Sequence, residues 1–246
     1  MASRLNQGRT LRGGLVTVIR QRSRRARQWG GALLALSLLI ASGVEAGQGT
    51  ATNVAQIAGT TARDSAEQTA RLTVENFHAT LLNMMQEAEL LGYEGRYKWL
   101  EPAIHESFAL EFMARVVAGS KWRQLSESDQ ERLSKAFARM TVATYASRFS
   151  GFSGETFKTL GVEDAPRGTK LVKTHLVKSD GSTVSLNYVM RGDGNWQVVD
   201  IYLDGRISEL ATRRSEYSSV LRNHGIEELL RRIDARIADL ASDEAS

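Results

Sequence analysis

Cysteine is absent from the chain, and proline occurs only twice, at Pro102 and Pro166. The first absence excludes disulfides, a thiol nucleophile and any metal held by thiolates. A chain with about 200 residues after its leader can bury enough apolar surface to fold without cross-links. Histidine is scarce as well: His78, His105, His175 and His224 are scattered without metal-ligand spacing. His105-Glu106 lacks the second histidine of a zinc-protease helix. No serine sits in a nucleophile elbow. Gly192-Asp193-Gly194 reads as a turn, because a phosphate loop would lead from a strand into a helix. Asp200 and Asp204 share a strand face at i and i+4, and their plainer reading is a strand-end cap plus a turn residue. No catalytic residue, metal or cofactor is expected.

A net positive charge and long apolar runs are missing from most of the chain. The formal charge is +4, yet residues 1–46 hold eight arginines, no lysine and one acid, Glu45. Beyond residue 46, 24 basic residues face 27 acidic ones, out of 32 and 28 in the whole chain. That body is mildly acidic, and no nucleic-acid partner is expected. The apolar run Trp29 to Ile40 has 12 residues, against about 20 for a stable membrane-spanning helix. An arginine-rich segment precedes it and Val44-Glu45-Ala46 follows, so residues 1–46 read as a cleaved secretory signal. An uncleaved anchor is the alternative. Ser23-Arg24-Arg25 is an imperfect twin-arginine match, since Arg27 stands where that motif has an apolar residue.

Residues 47–63 are small, polar and rich in glycine and threonine, which predicts a flexible linker. From Asp64 onward, Ala70, Val74, Phe77, Leu81, Met84, Ala88 and Leu91 recur at helical spacing. Gly92 and Gly95 break that helix. Tyr97, Leu100, Ile104 and Phe108 continue the period, and Pro102 is tolerated only near a first turn. Ser126 with Asp129 fits a capping box ahead of the buried stripe Leu133, Phe137, Met140, Thr144 and Tyr145. Between Glu155 and Asp204 the pattern changes to four short strands with tight turns, an antiparallel meander. Helix returns near Ile207 and runs past Gly225. The order predicts one α+β domain over 64–246, with helices packed on a curved antiparallel sheet of about four strands.

One strand is unusual. Simple alternation puts Trp196, Val198 and Tyr202 on one face and Val199, Ile201 and Leu203 on the other, so both faces are apolar. Either helices cover one side and a ligand cavity lies on the other, or the strand is ordinary core. Methionines and phenylalanines on the helices (Met84, Met85, Phe112, Met113, Phe137, Met140) suit an adaptable cavity wall, and equally suit core.

Four stretches carry a resemblance. In "FALEFMARVVAGSKWRQLSESDQERLSKAF" the residues concerned are Phe108, Met113, Gly119, Trp122, Gln130 and Phe137, and Tyr145 closes the same helix. "GDGNWQVVDIYLDG" supplies a hairpin, and "RRSEYSSVLRNHGIEELL" supplies Arg214, Ser215, Tyr217, Gly225 and Leu230. From about residue 70 to 240 the chain resembles the periplasmic substrate-binding family typified by MlaC, the shuttle of phospholipid transport. Ala109, Arg213 and Tyr217 depart from the common pattern and resemble the hopanoid-biosynthesis-associated branch, HpnM. The resemblance implies a periplasmic, monomeric carrier with a deep hydrophobic cavity for acyl chains and the headgroup near solvent. It would hand phospholipid or a hopanoid-type lipid between inner- and outer-membrane transport components. Expected lining residues are Phe112, Val116, Phe137, Met140 and Tyr145 from the helices. Tyr188, Val199, Ile201 and Leu203 would line it from the sheet, with Arg214 and Tyr217 near the mouth. The alternatives are an adaptor with a filled interior, or a pocket enzyme using Asp200.

Overall fold

Helix α1 spans Gly49–Gln86 and buries Ala70, Val74, Phe77, Leu81 and Met84, the stripe that the spacing predicts. The computed structural model describes residues 49–192 and 194–242, with side chains from residue 63 onward. The expected signal, residues 1–46, lies outside the described residues. The linker expected over 47–63 is corrected, because α1 starts at Gly49. Ala51, Ala55 and Ala58 are strong helix formers at helical spacing, and they outweigh the glycines and threonines that dominate the composition.

Helix α2, Ala88–Ser107, kinks at Gly92, whose φ of 57° and ψ of −177° are open to glycine at little cost. Pro102 is a second correction, since it lies well inside α2 rather than in a first turn. It sits on the exposed side of α2, as does Lys98, whose carbonyl proline leaves without its helical partner. Helix α3, Leu110–Ala118, runs into a 3-10 turn at Gly119–Gln124. Helix α4, Glu127–Arg148, starts at Ser126, whose hydroxyl accepts from the Asp129 amide at 3.1 Å, as the capping sequence predicts.

The strands are β1 (Thr156–Ala165), β2 (Thr169–Val177), β3 (Thr183–Arg191), β4 (Gln197–Leu203) and the two-residue β5 (Ile207–Ser208). They form one antiparallel sheet in the order β1-β2-β3-β4-β5, the expected meander with a short fifth strand. Helix α5, Glu209–Ser242, closes the domain and kinks at Gly225, where φ is 80°. None of the described helices is long and apolar enough to cross a membrane.

The register resolves the two-faced strand. Leu186 pairs with Leu203, Tyr188 with Ile201 and Met190 with Val198, and Val199 is the extra residue between Val198 and Asp200. A bulge moves the alternation by one residue. Val198, Ile201 and Leu203 therefore share the face of Met190, Tyr188 and Leu186, while Gln197, Asp200 and Tyr202 share the other. The expected division, with Val198 opposite Ile201 and Leu203, is corrected. On the same inner face β2 buries Lys170, Val172, Thr174 and Leu176. The chain between α2 and α3 covers the free edge of β4: Phe108 bridges to Val198, and the Ala109 amide donates to the Val198 carbonyl at 3.0 Å.

Helix α1 meets this face through a polar residue. His78 is 3 % exposed. Its ring stacks on Phe157 at 3.9 Å, and its Nε2 shares a hydrogen bond with the Tyr188 hydroxyl at 3.0 Å. Nearby, Phe77 packs edge-on against Phe108 and Tyr145 at 5.2 and 5.3 Å, tying α1 to the α2–α3 junction and to α4. At the far end of β2 the buried Lys170 ammonium donates to Asp164 at 2.7 Å and to Glu67 at 3.4 Å.

Two outcomes follow from these contacts. A Cβ on Gly192 would lie 2.2 Å from the Asn195 carbonyl oxygen. Gly192→Ala is expected to destabilise the hairpin by about 1–3 kcal/mol in urea unfolding. Burial lowers the His78 pKa from 6.5 to about 3. The unfolded chain then binds a proton below pH ~6.5 that the folded protein refuses, so stability falls as pH falls. Between pH 6.5 and 5 the loss should approach about 1.4 kcal/mol per unit. His78→Gln should flatten that slope while keeping a partner for Tyr188.

Candidate functional site

The helices and the inner face of the sheet enclose one apolar layer. Phe137, Met140, Tyr188 and Tyr217 belong to its central cluster, and Val116, Tyr145 and Ile201 pack against it. Val199 and Leu203 are buried but stand outside that cluster. Phe112 does not enter the layer. Its ring is half-buried between the guanidinium groups of Arg191 and Arg115, 4.6 and 5.4 Å from the ring centroid. Arg214 is exposed, and its side chain lies beside Gly119 at the 3-10 turn. The ring of Tyr217 meets that of Phe137 edge-on at 6.4 Å. Of the eleven expected residues, four belong to the core cluster, among them Tyr217, which was expected near the mouth; three pack against it, two are buried outside it, and Phe112 and Arg214 lie elsewhere.

His78, named from the sequence as one of four scattered histidines, is a core residue of α1 hydrogen-bonded to Tyr188. Sequence reasoning passed over a polar group at one end of the layer, built by the last turn of α4 and the first turns of α5. Arg148 Nη1 lies 3.9 Å from Glu209 Oε2. Arg213 Nη2 donates to Thr144 Oγ1 at 3.3 Å, and that hydroxyl donates to the Met140 carbonyl at 2.7 Å. Glu209 Oε1 and the Tyr217 hydroxyl are buried without a hydrogen-bond partner. The Arg213 guanidinium is close enough to the Tyr217 hydroxyl to bias its ionisation, but no well-formed hydrogen bond joins them.

Dehydration dominates the electrostatics here. Although the Arg148 side chain keeps 30 % of its surface exposed, loss of surrounding water lowers its pKa to about 10. Arg213 and Arg236 push the same way, and Glu209 opposes them. Burial raises the pKa of Glu209 and holds the hydroxyls of Tyr145 and Tyr217 neutral. Asp200 is otherwise engaged. Its Oδ1 accepts from the amides of Ile201 and Leu210 at 2.7 and 3.0 Å, and its Oδ2 accepts from Ser208 Oγ at 2.6 Å. It caps the start of α5 from within β4, a role different from the strand-end cap that the sequence suggested.

A groove of about 490 Å³ lies between α2, α4 and α5, lined by residues such as His105, Lys135, Arg139 and Asp234. Arg139 pairs with Asp234 at 2.8 Å, and Arg132 holds Glu227 through two contacts of 2.7 and 2.8 Å. These pairs join α4 to α5, and such a polar wall does not suit acyl chains. Among the described residues, no cluster of acidic and histidine side chains could hold a metal ion.

No curated protein sequence matches the chain. Among solved structures, the fold is similar to that of a phospholipid-binding protein from Ralstonia solanacearum, determined in complex with a phospholipid. The two superpose with a TM-score of 0.62 at 19 % identity, covering 70 % of this chain and 98 % of that one. The family model described as MlaC protein matches residues 75–235, from the buried half of α1 to the last turns of α5. With well over half of its length matched, the chain belongs to the MlaC family.

Proposed function

We propose that the protein is a periplasmic carrier of phospholipid or hopanoid-type lipid, exported by the signal in residues 1–46 and acting as a monomer. Residues 64–246 form its single lipid-binding domain, and membrane-bound transport components at the inner and outer membranes are its donors and acceptors. Family membership carries this reading, and a solved structure of the same fold holding a phospholipid supports it. The departures at Ala109, Arg213 and Tyr217 are the reason for including hopanoid-type lipids.

The physical requirement is concealment. Each exposed methylene of a lipid tail costs about 0.8 kcal/mol in water, so a carrier must hide nearly all of them and needs no covalent chemistry. The layer between α1, α4 and the inner face of the sheet is the place for the tails. Met84, Met140 and Met190 are buried there, and unbranched thioether side chains can repack around an irregular guest. The Tyr188 hydroxyl and His78 Nε2 share a hydrogen bond, so neither of these two atoms is stranded against hydrocarbon.

Native mass spectrometry of protein purified from a periplasm should show a bound lipid. Protein that is lipid-free and also takes no lipid from vesicles would overturn the carrier reading and favour an adaptor with a filled interior. Asp200→Ala should cost about 1–2 kcal/mol of stability through the lost cap at α5 and leave lipid uptake unchanged. Intact stability with lost function would instead restore the pocket-enzyme reading.

A further inference from the structure

The two charged ends of the apolar layer are neutralised differently. At the Lys170 end, Lys170 and Arg63 face two carboxylates, Asp164 and Glu67. At the other end, Arg148 faces two further guanidinium groups, Arg213 and Arg236, and one carboxylate, Glu209. Arg236 lies 4.0 Å from Asp239. Glu209 itself feels Asp200 and Glu216. Asp200, however, is committed to capping α5 by three hydrogen bonds, and Glu216 is exposed. Arg148 and Arg213 are left sharing Glu209, whose closest approach to Arg148 is 3.9 Å. Two buried polar atoms at the same place lack a well-formed hydrogen bond: Glu209 Oε1, and the Tyr217 hydroxyl, on a residue only 7 % exposed and with only the Arg213 guanidinium beside it.

Such an arrangement is incomplete on its own. Crowded guanidinium groups favour an anion, and phosphate oxygens accept from arginine through strong charge-assisted bonds. A stranded hydroxyl costs free energy until it finds an acceptor, and a stranded carboxylate oxygen until it finds a donor. The site is also reachable, since the side chains of Arg148 and Glu209 keep 30 % and 20 % of their surface exposed. Arg213 is the position where the chain departs from the tyrosine of the resembled family pattern.

We propose that Arg148, Arg213 and the Tyr217 hydroxyl bind one ester phosphate, with Glu209 Oε1 accepting a hydrogen bond from a hydroxyl or ammonium on the same molecule. The shared chemistry is a phosphate carrying a nearby donor. A lipid headgroup such as a glycerol phosphodiester supplies both, and free phosphate supplies the first. As a headgroup site it rests on the carrier reading: tails enter the apolar layer and the headgroup stops at its arginine end. Arg213 and Arg148 are then headgroup-selecting residues, and selection is by phosphate charge and donor together.

The test uses the full mature chain and vesicles of phosphatidylglycerol and phosphatidylcholine in equal parts with identical acyl chains. Choline offers no donor and cancels the phosphate charge. The wild-type protein should load phosphatidylglycerol about tenfold over phosphatidylcholine, the discrimination expected of one charge-assisted contact. Arg213→Gln and Arg148→Gln should return the loaded ratio toward one, and Arg213→Lys should restore part of it. Calorimetry with inorganic phosphate is the second arm. Lipid loaded without preference, together with phosphate binding that Arg213→Gln abolishes, would support an anion site and overturn its assignment to a lipid headgroup. Lipid loaded without preference and no phosphate binding would overturn the inference while leaving the carrier reading intact. No uptake of either lipid and no phosphate binding would remove both.

Discussion

The inner face of the sheet must be largely apolar if helices are to pack on it, and in β4 one extra residue meets that constraint. Without Val199 as a bulge, Val198 would point away from Ile201 and Leu203. With it, all three join Met190, Tyr188 and Leu186 on the helix side, and Asp200 turns to the start of α5. The bulge thus fixes two things at once: a continuous floor for the apolar layer and the capped origin of the last helix. The junction between α2 and α3 then binds the edge of β4 at Val198, which also protects that edge from pairing with another chain.

Polar groups inside the layer show where it is finished. His78 and Tyr188 answer one another, and Lys170 has two carboxylates in reach. Burying these groups without partners would cost several kcal/mol each. The Arg148–Glu209 end departs from that rule, with two orphaned atoms and a surplus of guanidinium. A core built only for stability gains nothing from such an end. A carrier that must hold a charged headgroup beside buried tails gains a place to put it.

Much of this fold was legible in the residues. The stripe Ala70 to Met84, the Ser126 cap, the glycine breaks and the strand meander follow from period and turn chemistry, and they appear where expected. The linker failed because composition weighs glycine and threonine, while helix propensity weighs the alanines between them. Pro102 failed because an internal proline costs least on an exposed helix face, and the spacing rule does not weigh exposure. The faces of β4 failed because alternation is blind to a bulge, which is set by pairing with β3 and not by β4 alone. For the candidate site, Tyr188, Phe137 and Met140 were visible as large apolar groups at buried spacing, whereas Tyr217, expected near the mouth, is buried in the core cluster. Phe112 was not separable from them, since its two arginine neighbours come from α3 and from β3. Arg148 and Arg213 lie 65 positions apart in the chain, and only the packing of α5 on α4 brings them to one carboxylate.

The central claim is that lipid tails occupy the layer between the helices and the inner face of the sheet. Loading the protein with a phospholipid that carries a photoreactive diazirine in its acyl chain, then mapping the cross-links by mass spectrometry, tests this directly. Labels are expected on Met140, Tyr188, Met190 and their neighbours in that layer. Labels confined to the outer face, at Lys173, Asn187 or Tyr202, or to the charged groove around Arg139, would contradict it.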